Sequence, residues 1–313
     1  MKHLILLIII VQSFVSLAQT DTTKVPFVAY WSIGDSYDFK ITKVKQKTKD
    51  NILVNNDTTA YKLNFLVIDS TETSYTIKWS YKTDFEQMNI PLNMVDAFSK
   101  YDTTNVIYKT NELGQFIEIV NWKEISDMMQ EVTDILLTEV AKNKDLDETK
   151  FRKIVTPLLD IYKTKQGIEQ ILFKEIQYFH YFFGLEYSTA EPLYYEQELP
   201  NMFGGKPIRG DVKLYFESVD FDVSFCVLIQ EMKLNENDTK DLLTQVFKKM
   251  KINDKKIKKE LKLAQFEIND TNRFEFYFYP GVPNFIETKR VTLYNMSNVK
   301  STKTDITKIE LLD

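Results

Sequence analysis

The stretch Tyr108–Glu124 reads YKTNELGQFIEIVNWKE and separates a strand-rich first part of the chain from its longest helical part. A turn at Asn111–Gly114 lies between two apolar runs, and glycine suits this turn because it adopts a positive φ without steric cost. The two runs therefore predict a pair of antiparallel strands. After Trp122 the apolar residues recur at spacings of three and four, which predicts that a helix begins there.

Strand patterns occupy both ends of the chain around this stretch. Before it, three segments centred on Phe39, Phe65 and Ile77 alternate apolar and polar residues with a period of two. Turn sequences separate them, so they predict an antiparallel meander. Alternation returns from about Leu193 and continues to Leu312, which gives roughly ten strands in all.

Helical spacing dominates residues 122–184 and predicts three helices there. Pro157 is expected to kink the second helix, and Gly167 to open the third. One further helix is predicted to begin at Asn237 or Asp238. We therefore predict an α+β protein: a large, curved, half-barrel-like antiparallel sheet with a three-helix insertion packed on it.

The first residues predict export. A short basic start precedes an almost unbroken apolar run of 12 residues, Leu4–Val15, and the small residues Ser16 and Ala18 follow it. This is the pattern of a signal peptide, residues 1–18, cleaved between Ala18 and Gln19. A membrane-spanning helix needs roughly 20 apolar residues, so this run is too short to anchor the chain in a membrane. We therefore expect residues 19–313 to form a single domain that is periplasmic or secreted and not an integral membrane protein after cleavage.

Composition excludes several kinds of function. The net charge is −5, and it becomes −6 when the signal peptide removes Lys2. This acidity argues against general nucleic-acid binding, which needs basic surfaces to neutralise phosphates. Cys226 is the only cysteine, so no intrachain disulfide can form. The fold must therefore depend on packing.

Few residues are available for catalysis or metal binding. His180 is the only histidine after the signal peptide, and Cys226 has no basic neighbour in sequence to activate it. A catalytic triad or a zinc site would have to use this one imidazole. Gly204 and Gly205 precede Lys206–Pro207 and not a helix, so they do not form a phosphate-binding loop. We predict no catalytic residues, no cofactor and no metal.

Two charged features have alternative interpretations. Asp220 and Asp222 would project to one face of a strand, as a hydrolytic carboxylate pair would, but their place between two strands favours a solvated turn. The segment Lys248–Lys262 carries eight lysines against two acidic residues. It is either a docking surface for an anionic partner or the solvated face of a helix, and the second interpretation is favoured.

Aromatic residues of the predicted strands indicate a ligand-binding face. A curved sheet with helices on one side can enclose an apolar cavity. Alternatively, the helices after Trp122 fill that space completely. The candidate ligand-lining residues are Phe39, Phe65, Trp79, Phe216, Phe225 and Phe276.

Three turn motifs resemble those of a family of uncharacterised secreted bacterial proteins. They are N-x-x-G-x-F-x-x-x-V-N-W at Asn111–Trp122, L-P-N-x-F-G-G-x-P at Leu199–Pro207, and a strand, G-x-P and second strand at Tyr279–Arg290. Met202 stands where the family pattern has proline. The resemblance implies export from a Gram-negative cell and the order strands, helices, strands, but no activity. A looser architectural similarity is to periplasmic half-barrel carriers of lipids and lipoproteins.

These observations lead to three functional hypotheses. The first is an exported, non-enzymatic module that binds an apolar or amphipathic ligand, or an envelope partner protein. The second is a structural or interaction protein of the cell envelope with a filled core. The third is a hydrolase that uses two carboxylates.

Overall fold

The computed structural model describes residues 23–82, 98–143, 147–169, 173–201, 205–249, 263–296 and 299–312. The predicted cleavage site at Ala18 and Gln19 lies outside the described residues, as do positions 250–262 of the lysine-rich segment.

Thirteen strands lie within the described ranges. They are β1 (Lys24–Phe27), β2 (Ser36–Lys49), β3 (Ile52–Thr71), β4 (Ser74–Lys82), β5 (Thr103–Asn111), β6 (Phe116–Ile119), β7 (Leu185–Ser188), β8 (Leu193–Leu199), β9 (Ile208–Asp220), β10 (Phe225–Leu234), β11 (Gln265–Tyr277), β12 (Val282–Met296) and β13 (Val299–Leu311). The helices are α1 (Trp122–Asn143), α2 (Glu148–Leu159), α3 (Lys165–Gly167), α4 (Lys174–Phe179) and α5 (Glu236–Lys249), with 3-10 turns at Ser99–Tyr101 and Asp160–Lys163.

Eleven of these strands form one antiparallel sheet. Its order is β6-β5-β4-β3-β2-β13-β12-β11-β10-β9-β8, so β6 and β8 are its edges and the described strands do not close into a barrel. Each half of the sheet is a meander of strands adjacent in sequence, and the pairing of β2 with β13 joins the two halves. The predicted α+β class, with a large antiparallel sheet interrupted by helices, is confirmed.

The stretch that opens the helical part folds as its sequence predicts. β5 and β6 pair across the Gly114 turn, with Tyr108 opposite Ile119. The Asn111 side chain closes the turn by accepting hydrogen bonds from the backbone N–H groups of Leu113 and Gln115, at 3.0 and 2.9 Å. Helix α1 then begins at Trp122.

The predicted third helix is wrong in detail. The insertion contains the short helices α3 and α4 in place of one helix from residue 167 to 183. Consecutive residues of a helix point in directions about 100° apart, so a helix would spread the aromatic run Tyr178–Phe183 over all its faces. The chain instead turns at His180–Phe183, and Phe182 and Phe183 become buried together with Phe179.

A strand lies at the start of the described chain. Lys24–Phe27 forms β1 and pairs with β7 in a separate two-stranded sheet. Val25 and Phe27 are both fully buried, and the Phe27 ring contacts those of Phe182 and Phe276 at 5.4 and 5.1 Å. Burial of these two side chains fixes the segment, because each contributes about 1.5–3 kcal/mol.

The core lies between the helix-bearing face of the sheet and the aromatic run. Phe179 contacts the rings of Phe39 at 5.7 Å, Phe65 at 5.2 Å and Trp79 at 5.3 Å. Phe183 contacts Phe276 at 5.5 Å. Side chains of the insertion therefore occupy the space above the centre of the sheet.

Candidate functional site

The sheet face beneath α4 changes from apolar to polar along the strands. Side chains of one strand that point to the same face are two residues apart, so the cross-strand register arranges them in rows. An apolar row across five strands consists of Ile41, Ile309, Ile286, Phe274 and Leu228. The next row consists of Lys43, Thr307, Thr288, Asn272 and Gln230, and the one after it of Lys45, Asp305, Arg290 and Asp270.

We call the open space over the polar rows the charged recess. Its volume is about 420 Å³, and strands β2, β13, β12 and β11 form its floor while α4 forms one wall. Its lining includes five basic side chains (Lys43, Lys45, Lys174, Arg290, Lys303), three acidic ones (Glu175, Asp270, Asp305), and the polar groups of Asn272, Tyr178 and three threonines.

Glu175 is the most deeply buried charged residue described, with 1% of its surface exposed. Its carboxylate accepts a hydrogen bond from the Tyr61 hydroxyl at 2.8 Å and forms an ion pair with Lys43. Burial, and then the adjacent Glu175 carboxylate, raise the pKa of Tyr61 well above its usual value. This phenol therefore stays protonated and donates to the carboxylate.

Asp270 and Arg290 form the second fixed pair of the recess. Two parallel bonds of 2.7 and 2.6 Å join the guanidinium to the carboxylate, and Asp270 is 7% exposed. The hydrogen bonds that Arg290 donates to Asp270 raise the pKa of Arg290 above its already high value. Such bidentate geometry holds both side chains in one orientation.

A chain of hydrogen-bonded neutral side chains extends from the recess across the neighbouring strands toward β8. Asn272, 7% exposed, donates to Gln230 at 2.8 Å, and Gln230 donates to the Tyr181 hydroxyl at 2.6 Å. Tyr181 in turn donates to Gln197 at 2.9 Å. The Asn272 side-chain oxygen accepts no hydrogen bond from the described residues and lines the recess. It is therefore available to a ligand.

Two lysines of the recess differ from the other cations. Lys45 and Lys174 form no ion pair within the described part of the chain, whereas Lys43, Arg290 and Lys303 are each paired. Lys174 is exposed to solvent at the first position of α4. Partial desolvation by the recess walls, and then the positive charge of Arg290, lower the pKa of Lys174.

The structure brings four of the six predicted ligand-lining residues together. Phe39, Phe65, Trp79 and Phe276 are buried in the core, and rings of the aromatic run contact all four. The other two lie elsewhere.

Phe216 and Phe225 do not join that cluster of rings. Phe216 is partly buried and lines a separate pocket of about 200 Å³ beside β7 and β8. Phe225 is also partly buried, and its ring contacts Tyr277 at 5.1 Å. Phe225 is adjacent to the fully buried Cys226, so the pleat directs it to the opposite side of β10.

The two residues considered for catalysis, His180 and Cys226, are both buried. His180 is buried, and its ring nitrogens lie 2.7 Å from the Tyr108 hydroxyl and 2.7 Å from the Gly114 carbonyl oxygen. Burial lowers the pKa of His180 to about 3. Burial likewise raises the pKa of Cys226.

Asp220 closes the turn between β9 and β10. Its carboxylate accepts hydrogen bonds from the backbone N–H groups of Asp222 and Val223 at 2.9 and 3.3 Å. Over the described ranges, no three His, Cys, Asp or Glu side chains are grouped in a way that could hold a metal ion.

Sequence reasoning did not identify the charged recess. Its polar side chains come from four strands and one helix, and of these only Thr288 and Arg290 fall within one of the three turn motifs, at Tyr279–Arg290. One signal was present: Lys43 and Lys45 continue the alternation that places Phe39 and Ile41 in the core. Polar residues at core-facing positions indicate that the face is not covered there.

Comparison with known proteins adds no functional assignment. No family model matches the chain, and no curated protein matches it. Among solved structures, the chain has a distant similarity to Ail, the attachment invasion locus protein of Yersinia pestis, with 6% identity and a TM-score of 0.14 over 90% of this chain and 100% of that one. A similarity at this level carries no argument about fold or function. Within the described parts, every helix is too short or too polar to cross a bilayer.

Proposed function

We propose that this protein is an exported, non-enzymatic binding module that holds a small hydrophilic ligand in the charged recess. One observation supports this above all. On a single sheet face, the aromatic run occupies the apolar part, whereas the described residues leave the adjoining polar part open with its side chains already positioned.

The recess has the properties of a ligand site. Its volume of about 420 Å³ lies within the usual range of small-molecule pockets, roughly 300–1,000 Å³. Buried Asp270, Asn272 and Thr288 converge on it from two neighbouring strands. Burying such groups is costly without partners, and the fixed pairs described above offset that cost. The polar groups are therefore organised before any ligand arrives.

Curvature of the sheet supports the half-barrel architecture that we propose for this module. Three successive ring contacts, of 5.3, 6.3 and 5.5 Å, connect Trp79 on β4 to Phe276 on β11 through Phe179 and Phe183. Five strand spacings separate β4 from β11, which would be about 24 Å in a flat sheet. The shorter path through the rings fits a sheet that curls around them, with the recess on its concave side.

Export and the absence of catalysis are parts of the proposal that rest on the sequence. The signal-peptide pattern of residues 1–18 supports a periplasmic or secreted location. A carboxylate-based hydrolase needs two carboxylates that face one substrate. Glu175, Asp270 and Asp305 are each engaged with a cation in the recess. We therefore propose binding and not hydrolysis.

A pair of substitutions on one strand tests the proposed site. Thr307 lines the recess, and Thr304 points to the other face of β13. A metabolite mixture from the source cell is equilibrated with protein comprising residues 19–313, and retained molecules are identified by mass spectrometry. We expect Thr307→Trp to abolish retention and Thr304→Trp to leave it unchanged. Equal retention by both variants, or retention of apolar molecules alone, would contradict the proposal.

A second candidate function is a structural or interaction protein of the envelope. Three consecutive apolar residues at the start of β3, Ile52, Leu53 and Val54, are 69%, 55% and 53% exposed. β4 pairs with β3 only from Lys62 onward, so this part of β3 extends beyond it. Co-sedimentation with an envelope fraction tests this candidate. Loss of co-sedimentation in Leu53→Lys would support it, and unchanged behaviour would reject it.

A further inference from the structure

We propose that the ligand of the charged recess is a small hydrophilic anion that carries a phosphate or carboxylate group. This inference rests on the proposed function, because it names the ligand class of the same site. It follows from how the charges of the recess are partnered.

Every carboxylate of the recess already has a cation. Glu175 pairs with Lys43, Asp270 with Arg290 at 2.6 Å, and Asp305 with Lys303 at 2.7 Å. The two remaining cations, Lys45 and Lys174, give the lining a net charge of +2 in a protein whose net charge is −5. An anionic ligand matches that excess, whereas a cation would meet it with repulsion.

The surroundings of Lys45 leave its ammonium free. Its cross-strand neighbours are Asp305 on β13 and Asp57 on β3. Lys303 holds Asp305, while the Asn55 amide donates to Asp57 at 2.6 Å. Neither carboxylate lies within ion-pair distance of Lys45 in the structure. Its ammonium therefore lines the recess without a direct ion-pair partner among the described residues.

Lys174 faces a cation and would gain from an anion. Desolvation by the recess walls is the main cause of the lowered pKa of Lys174, and the positive charge of Arg290 is the next. The carboxylates of Asp270, Asp305 and Glu175 act in the opposite direction. A bound anion would stabilise its charged form.

The neutral lining narrows the ligand class further. Thr288, Thr292 and Thr307 offer hydroxyls, and Asn272 offers an unengaged oxygen, so the groups beside the anion would be hydroxyls and not an alkyl chain. The only arginine of the recess lining, Arg290, is fixed by Asp270. Recognition by lysine ammonium groups, which act as point charges, suits phosphate and carboxylate alike.

Calorimetric titration of residues 19–313 with defined probes tests the ligand class. The probes are inorganic phosphate, glycerol 3-phosphate, glucuronate, uncharged glucose, and vesicles containing phosphatidylglycerol. We expect glycerol 3-phosphate and glucuronate to bind more tightly than glucose, and the affinity to fall as salt rises because the exposed charges are screened. Binding to vesicles alone would overturn the inference.

Single-lysine variants locate the binding. Lys174→Ala and Lys45→Ala are each expected to weaken anion binding about fivefold, the effect of losing one partly exposed charge contact. Lys40 is an exposed lysine on β2 that points to the opposite face, so Lys40→Ala is the matched control and should bind like the wild type. Equal losses in Lys40→Ala would overturn the recess as the anion site.

The outcomes distinguish the two proposals. If glucose or a cation binds and Thr307→Trp abolishes that binding, the recess is a ligand site and the anionic class is wrong. If no molecule of the probe set or of the metabolite mixture is affected by Thr307→Trp, the proposed function itself is wrong. Unchanged thermal unfolding of each lysine variant ensures that a lost affinity does not reflect a lost fold.

Discussion

Truncation of Phe179 measures how completely the insertion fills the apolar part of the sheet face. Its ring is 1% exposed, stacks on Phe65 at 5.2 Å with 17° between the planes, and contacts Trp79 at 5.3 Å and Phe39 at 5.7 Å. Phe→Ala changes in cores cost about 3–5 kcal/mol, and least where neighbours can close the cavity. These three rings of the sheet belong to paired strands and cannot close it. We therefore expect about 4–5 kcal/mol for Phe179→Ala.

Urea unfolding followed by tryptophan fluorescence provides the measurement, with Trp79 as an adjacent reporter. Phe225→Ala is the matched control, because that ring is only partly buried and has one aromatic contact, at 5.1 Å. We expect the control to cost about 1–2 kcal/mol. The cavity left at residue 179 should also bind a small apolar molecule such as benzene, as dry engineered cavities do. If the wild type binds benzene equally well, or if both variants cost the same, the apolar part is not filled.

Three further predictions concern a glycine, a histidine and an aspartate. A Cβ at Gly114 (φ +90°) would lie 2.4 Å from a buried ring, whereas one at Gly34 (φ +94°) meets no atom within 4 Å. Alanine should therefore cost about 1–2 kcal/mol at Gly34 and about 1–3 kcal/mol more at Gly114, measured by chemical denaturation. The pKa of His180 is lowered to about 3, so its neutral form stabilises the fold fully above pH 6.5. That stability should fall by about 1.4 kcal/mol per pH unit between pH 6.5 and 3, and urea titrations should show a smaller fall for His180→Gln. Asp270→Asn should cost about 1–3 kcal/mol and tighten anion binding, whereas Asp134→Asn at an exposed pair should cost under about 1 kcal/mol and leave binding unchanged. Weaker anion binding in Asp270→Asn would contradict the charge argument for the recess.

Local patterns predicted the architecture around the first helix because the relevant interactions are short in range. The Asn111 side chain and Gly114 define a turn within five residues, and the change of apolar spacing marks the helix start at Trp122. The face of β6 was harder to predict from sequence. Ile119 is buried and Val120 is 48% exposed, although both are apolar. Only the register against β5 decides which of them enters the core.

The recess could not be predicted because it depends on register between strands far apart in sequence. β2 and β13 pair with Lys45 opposite Asp305, two residues separated by most of the chain. The pairing of Asp270 with Arg290 depends on the β11–β12 register, although these two strands are neighbours in sequence. Composition showed abundant carboxylates and lysines, but not which of them would neutralise one another. The two lysines without partners are therefore a property of the fold alone.

The position of the polar boundary decides between the functional hypotheses. If the rows beyond Ile41 and Ile286 were also apolar, the sheet would present an apolar surface there. A lipid-like ligand would then be expected. The rows become polar at Lys43 and Thr288, one step beyond those residues. The paired charges of the recess contribute little to the stability of the fold, since buried ion pairs seldom improve stability over apolar side chains. The arrangement therefore favours the proposed binding function over a purely structural one, and under that proposal the unpaired lysines set the sign of the ligand.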